Sequence, residues 1–383
     1  MNNPSSVPVE TMPVGPWVLV VGMHRSGTSA VTGALGHLGL APPVESDRWE
    51  PSEDNPDHFE SRALAFHCDK LLERLGGTWD RPPDPDFEWE TETGLGLEEL
   101  GDPAGPASAA FPDAGPVVWK DPRTCLLLPY WLAHLPKPVA AVYIWRSPIS
   151  VARSLRTRDR LPLADGVALW ERYNRCGLAG LVGIDTYITR YESIVEDPLG
   201  RLGDLATWLG TLPQFAAHAP HWDLAAAAAS VSPKLLREKD SDGSDLLLDE
   251  HRQLVELLHS LDGPHRPLEL PASGGESPWT TALLSDRHQL AMLSIQRDTS
   301  RETARLQEWE IRGLNARVDA LESDRDRMRA DLIAMNELYE RMQASTSWRV
   351  TRPLRQVAAL RGNQGATDGD APVPTVEQAE QQK

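Results

Sequence analysis

Residues 16–38 read PWVLVVGMHRSGTSAVTGALGHL, and the reading of the whole chain turns on this stretch. Val18, Leu19, Val20 and Val21 are apolar without alternation, as in a strand buried on both faces of a parallel sheet. Gly22 ends the run, and from Thr28 onward Ala30, Val31, Ala34, Leu35 and Leu38 recur at helical spacing. The loop between them brings its backbone N–H groups to a helix N-terminus, where unpaired donors and the helix dipole favour an anion. Gly22 and Gly27 have the spacing of a phosphate-binding P-loop, but Thr28 stands where that motif carries lysine, and Ser29 follows it. An ordinary nucleoside-triphosphate hydrolase is therefore disfavoured. Arg25 still supplies a fixed cation, and Ser26, Thr28 and Ser29 supply hydroxyls. The plainer alternative is a strand–turn–helix whose glycine only permits a tight turn.

The 383 residues, 40% of them hydrophobic, suffice for one large α/β domain plus an appendage. A net charge of −18 argues against a general nucleic-acid binder, so anion binding must be local. Cys68, Cys125 and Cys176 are odd in number and widely spaced, which indicates neither a disulfide framework nor a metal site. The opening MNNPSSVPVETMPVG has no leader pattern and no run is long enough to span a membrane, so a cytoplasmic protein is expected.

Further strands are predicted at residues 117–120, 139–145 and 187–191, alternating with helices near 126–135, from 149, over 165–182 and over 198–209. This alternation predicts an α/β fold, a P-loop-like parallel sheet flanked by helices. The ligand of such a sheet binds outside the carboxyl ends of its strands. Three of those ends are the Gly22 loop, Lys120-Asp121-Pro122-Arg123, and Arg146-Ser147-Pro148, all polar or cationic. Phe59, Ala63, Phe66, Leu71, Leu72 and Leu75 form an amphipathic helical pattern with Glu60 at its first turn. Residues 80–116 read as a long irregular insertion.

The Arg25-Ser26-Gly27-Thr28 loop resembles the 5′-phosphosulfate loop of sulfotransferases that use 3′-phosphoadenosine-5′-phosphosulfate (PAPS). Arg146 and Ser154, in RSPISVARS, resemble the 3′-phosphate signature of the same family: an arginine at a strand end and a serine on the following helix. Lys120-Asp121-Pro122 is similar to the Lys-Asp-Pro element of tyrosylprotein sulfotransferases, whose lysine stabilises the transferring group. Asp121 and Arg123 read equally well as a salt bridge orienting that lysine. Tyr191, in ITRYESIVEDP, resembles the tyrosine of an Arg-Tyr-Glu segment placed beside adenine, with a core tyrosine as the alternative.

The resemblance implies a sulfotransferase fold over roughly residues 16–210, PAPS as co-substrate, no metal and a hydroxyl acceptor. The acceptor expected is a glycan or lipid-linked sugar of surface-polysaccharide assembly. Cofactor-binding residues are then Arg25, Ser26, Gly27, Thr28, Ser29, Arg146, Ser154 and Tyr191. Lys120 assists catalysis, and Glu60 is the first choice of base, with His58 and His24 behind it and the capping of its own helix as the alternative role. The family's C-terminal Arg-Lys-Gly element is missing, with Lys234 and Arg237 as substitutes, and Trp49, Trp79 and Trp89 are candidates to stack on sugar rings, although loop aromatics more often pack the domain. Two other classes stay open, a P-loop-like kinase and a non-catalytic scaffold for polysaccharide enzymes.

From Ile311 a heptad series runs Leu314, Val318, Leu321, Arg325, Met328, Leu332, Met335, Tyr339, Met342. It predicts a long coiled-coil helix and a homo-oligomer, against a single helix folded back on the catalytic domain. Arg349, Arg352, Arg355 and Arg361 then cluster without an acid from residue 347, suited to an anionic membrane surface or a docking partner. The expected division is a disordered lead-in at 1–15, a catalytic domain at 16–262, a linker at 263–284, a coiled coil at 285–345, and a basic segment with a disordered tail at 346–383.

Overall fold

A computed structural model describes residues 15–50, 58–83, 103–112, 115–232, 244–272 and 274–356. In chain order the elements are β1 (Trp17–Val21), α1 (Thr28–His37), α2 (Arg62–Arg74), α3 (Ala104–Ala110), β2 (Val117–Lys120), α4 (Thr124–His134), β3 (Val139–Trp145), α5 (Pro148–Asp159) and α6 (Leu163–Gly180). They continue with β4 (Asp185–Arg190), α7 (Tyr191–Glu196), α8 (Pro198–Thr211), α9 (Leu224–Ser230), α10 (Asp249–Ser260), β5 (Gly263–His265), α11 (Pro278–Ala344) and α12 (Thr346–Val350).

The sheet order is β2-β1-β3-β4-β5. Pairs β1–β2, β1–β3 and β3–β4 are parallel, with Val20 opposite Lys120 and Val21 opposite Tyr143, while β5 runs antiparallel to β4. Every residue of β1, β2 and β3 is buried. Alternate side chains feed two cores, which explains the unbroken apolar runs. Trp17, Leu19, Val21, Trp119, Tyr143 and Trp145 join α2, α4 and α6 on one face. Val18, Val20, Val118, Val142 and Ile144 join α1, α8 and α9 on the other. Gly22 is required by proximity, since a Cβ there would lie 2.3 Å from the Ile144 carbonyl oxygen.

Two sequence expectations differ from the structure. The insertion at 80–116 contains α3, whose Ala104, Ala107 and Ala110 are buried; small side chains give short helices little periodicity to detect. The segment 263–284 holds β5 and the start of α11. Its glycine and prolines suggest a linker, yet they form an edge strand, and Leu268 is fully buried beside it. Lys234 and Arg237, Trp89, the disordered lead-in at 1–15 up to residue 14, and the basic tail beyond residue 356 lie outside the described residues.

The chain divides into two compact units, Met1–Leu293 and Ser294–Lys383. In the first, the opening of α11 is fixed by a buried cluster. Glu171 accepts from Ser277 Oγ and Thr280 Oγ1, each at 2.7 Å, and its Oε2 lies 3.0 Å from His251 Nε2. In the second, α11 carries its heptad residues exposed, and α12 is capped by the Ser345 hydroxyl, which accepts from Trp348 N at 3.2 Å. Among the described residues no helix is long and apolar enough to cross a membrane.

Candidate active site

The ends of β1, β2 and β3 form one cleft of about 620 Å³, counted to its open mouth. His24, Arg25, Gly27, Thr28, Ser29, Glu60, Lys120, Arg146 and Tyr191 line it, together with Ala30, Pro122 and Arg158. Four cations thus face a single carboxylate on a chain whose net charge is −18. An anion is the complementary occupant.

The first loop is held in a strained shape. Arg25 has φ 69° and Gly27 φ 90°, the left-handed region that a non-glycine residue seldom occupies. At Gly27 a Cβ would come within 2.1 Å of the Tyr191 ring, so only glycine permits that tyrosine to close over the loop. Tyr191 packs within the second core and also lines the cleft. No side chain caps the N-terminus of α1, and the Ser26 hydroxyl is buried without a hydrogen-bond partner. First-turn amides and an unsatisfied hydroxyl are what a bound phosphate or sulfate group would complete.

The two expected phosphate signatures are physically joined. Arg25 Nε donates to Ser154 Oγ at 2.7 Å, and Arg146 Nη1 donates to the Arg25 carbonyl at 3.2 Å. Pro148 at the first turn of α5 and the left-handed Arg160 at its end fix where Ser154 stands. Arg158, one turn beyond Ser154, reaches the same cleft and lies 5.3 Å above the Trp79 ring. Arg158 was not singled out by the sequence, although its four-residue spacing from Ser154 was a usable signal.

Lys120 closes the β2 side of the cleft. Its side chain is 1% exposed, and its Nζ donates to Ser29 Oγ at 2.9 Å and to Glu60 Oε1. Glu60 is not a helix cap. Ser61 takes that place, accepting from Leu64 N at 3.1 Å, because a short hydroxyl suits the cap geometry; Glu60 lies one residue earlier and turns to Lys120. Burial would raise the Glu60 pKa, but the Lys120 ammonium and its hydrogen bond, with the His58 ring nearby, outweigh it and hold the carboxyl well below its ordinary range. His58 Nδ1 lies 3.6 Å from Glu60 Oε2. Beside them Arg123 binds Asp121 at 3.1 Å and Asp69 at 2.6 Å, so the turn after Lys120 is braced by a salt bridge.

His24 packs its ring 4.7 Å from Trp79 and 5.9 Å from Tyr173. Burial, then the charges of Arg158 and Arg123, push its pKa well below the ordinary histidine value, and Nε2 has no hydrogen-bond partner. Trp79 also borders a second groove with Phe66, Asp69, Lys70, Glu73, Thr78 and Asp80. Exposed Trp49 meets Phe66 edge-on at 5.7 Å.

No protein-family model and no curated protein matches the chain. Among solved structures, the sulfotransferase domain of the Synechococcus PCC 7002 olefin synthase matches at 19% identity and TM-score 0.33, over 73% of this chain and 96% of that one. The sulfotransferase domain of the curacin biosynthetic pathway matches at 18% and 0.33, over 72% and 98%. The sulfotransferase STF1 of Mycobacterium tuberculosis H37Rv matches at 15% and 0.35, over 59% and 76%. These structural neighbours of the chain are sulfotransferases, all at low sequence identity.

Proposed function

We propose that the protein transfers the sulfuryl group of PAPS to a hydroxyl acceptor. The observation that carries this reading is the linkage of the two anion sites, with Arg25 bonded to Ser154 and Arg146 bonded to the backbone of Arg25. That pair suits a nucleotide with a charged group at each end of its ribose. Arg25, Ser26, Gly27, Thr28 and Ser29 hold the 5′-phosphosulfate. Arg146 and Ser154 hold the 3′-phosphate, and Tyr191 borders the adenosine. The buried Ser26 hydroxyl and the uncapped α1 terminus fit this role.

Transfer breaks the bond from sulfur to the 5′-phosphate oxygen and forms one to the acceptor oxygen. Lys120 supplies positive charge where negative charge develops on the leaving oxygen. The acceptor's proton requires a base, and Glu60 is ionised and stands beside Lys120. Its basicity returns as the Lys120 charge is shared with the donor's anion. The groove past Trp79 supports a sugar acceptor through Phe66 and the carboxylates of Asp69, Glu73 and Asp80, which suit a polyhydroxylated ring, in keeping with surface-polysaccharide assembly at the cytoplasmic face of a membrane.

Calorimetry with adenosine 3′,5′-bisphosphate tests the donor site: binding by the intact protein, weakened about tenfold or more by Arg146→Ala, is expected for the loss of charge-assisted hydrogen bonds. Affinity unchanged by that substitution defeats the proposal. Labelled PAPS offered with glycan and lipid extracts then identifies the acceptor. Glu60→Gln should retain the nucleotide and lose turnover.

A further inference from the structure

Apart from Tyr339, whose ring meets Trp348 edge-on at 6.4 Å, the apolar heptad residues of α11 are left exposed to water by the described residues of their own unit. From Ile311 to Met342 the apolar a and d residues are 38–66% exposed, a stripe far longer than the scattered apolar residues of an ordinary surface. Gly313 lies in the same helix and lowers its intrinsic stability by about 1 kcal/mol. A helix of this kind in water draws its stability from what covers the stripe.

We infer that the stripe is covered by the same stripe of a second copy, as a parallel, in-register, two-stranded coiled coil over residues 311–342. Three features select this occupant. The a and d spacing alternates three and four without a break from Ile311 to Met342, the period that keeps one face toward a supercoiled partner. The first two heptads place Ile311 and Val318 at a with Leu314 and Leu321 at d, the choice that favours two strands.

Charge then sets the orientation. In a parallel pair a g residue faces the e residue five positions on in the partner helix. Arg317 thus meets Glu322 of the second copy, and Asp324 meets Arg329, each pair occurring twice by symmetry. The remaining g and e positions up to residue 343 bring no like charges together. The antiparallel alignment over the same residues instead sets Asp324 against Asp331. Arg325 at an a position meets its own symmetry copy in the parallel form, a single polar layer flanked by Asp324 of each chain, which costs stability and fixes the register. Symmetry then places both chains' arginines 349, 352 and 355 at the same end of the coil.

The experiment uses the full chain and does not depend on the sulfuryl-transfer reading. Sedimentation equilibrium should give twice the 42.3 kDa chain mass. Leu314→Cys and Met342→Cys, prepared separately and oxidised, should each give a disulfide-linked dimer, because only a parallel in-register pair brings each position against itself. Arg317→Glu should weaken the dimer about fivefold or more by creating two like-charge pairs, and Arg317→Glu with Glu322→Arg should restore it. A monomer or trimer mass, failure of both cysteine variants to cross-link, or a charge exchange that restores nothing overturns the proposal.

Discussion

Lys120→Met is the substitution whose consequences follow most directly from the structure. Lys120 is 1% exposed and its ion-pair partner Glu60 is 14% exposed, so the pair is largely removed from water. Breaking a buried pair from one side costs about 3–5 kcal/mol, because the abandoned charge stays buried. The residual exposure of Glu60 and the neighbouring His58, 3.6 Å away, place the expected loss near the lower end, about 3 kcal/mol. Glu60→Gln should cost less, about 2 kcal/mol, since its amide oxygen still accepts from Lys120 and Ser29 Oγ remains 2.9 Å from Nζ. The double variant should lose no more than about 3 kcal/mol, a coupling of about 2 kcal/mol.

The sign with pH follows from linkage. In the native protein the Glu60 pKa is depressed, so its stabilisation is full above the unfolded carboxyl value and lost as pH falls through the folded one. Without Lys120, burial loses its largest opponent, so the carboxylate is less favoured in the folded variant and its ionised form costs more as pH rises. The deficit of Lys120→Met should therefore be greatest near neutrality and shrink as pH falls from about 7 toward about 4.5. Urea unfolding of the four proteins across that range is the assay. A loss below about 1 kcal/mol, or one independent of both pH and Glu60, would refute the reasoning.

Gly27→Ala should destabilise by about 2–4 kcal/mol and abolish nucleotide binding, because it adds positive-φ strain and drives a Cβ to 2.1 Å from Tyr191; unfolding and calorimetry together check this. His24 has a depressed pKa, so below about pH 6.5 the unfolded chain takes up a proton that the folded site refuses. Its stability contribution should fall by up to about 1.4 kcal/mol per pH unit on acidification until the folded pKa is reached. His24→Gln should remove that part of the slope, and an identical slope in the variant would contradict the assignment.

The sheet was legible because strands covered on both faces need unbroken apolar runs, and β1, β2 and β3 have them. The loop and its distant companion were legible through residue types at strand ends, Arg25 and Arg146 above all. What escaped detection depended on contacts remote in sequence. Only Arg175 is a local partner of Glu171, and the groups through which it ties α10 and the start of α11 to α6 lie 80 to 109 residues on, out of reach of any local pattern. The cap of α2 went to Ser61 over Glu60 by a difference of one position, finer than helical periodicity can resolve. Trp79 follows the commoner role of a loop aromatic and packs the domain, its ring engaged by His24 and Arg158.

The bond from Arg25 to Ser154 bears on any attempt to redesign the anion site. The left-handed turn at Arg25 is held by groups from α5 and the end of β3, so its conformation is not a property of residues 22–29 alone. Transplanting that octapeptide onto another strand–helix unit would leave the arginine without its anchor, and the strained backbone would relax. Introducing lysine at Thr28 to recruit a triphosphate would leave the second anchor in place. A change of nucleotide must therefore rebuild two strand ends together, and the first loop is a cassette only in company with the third strand's turn.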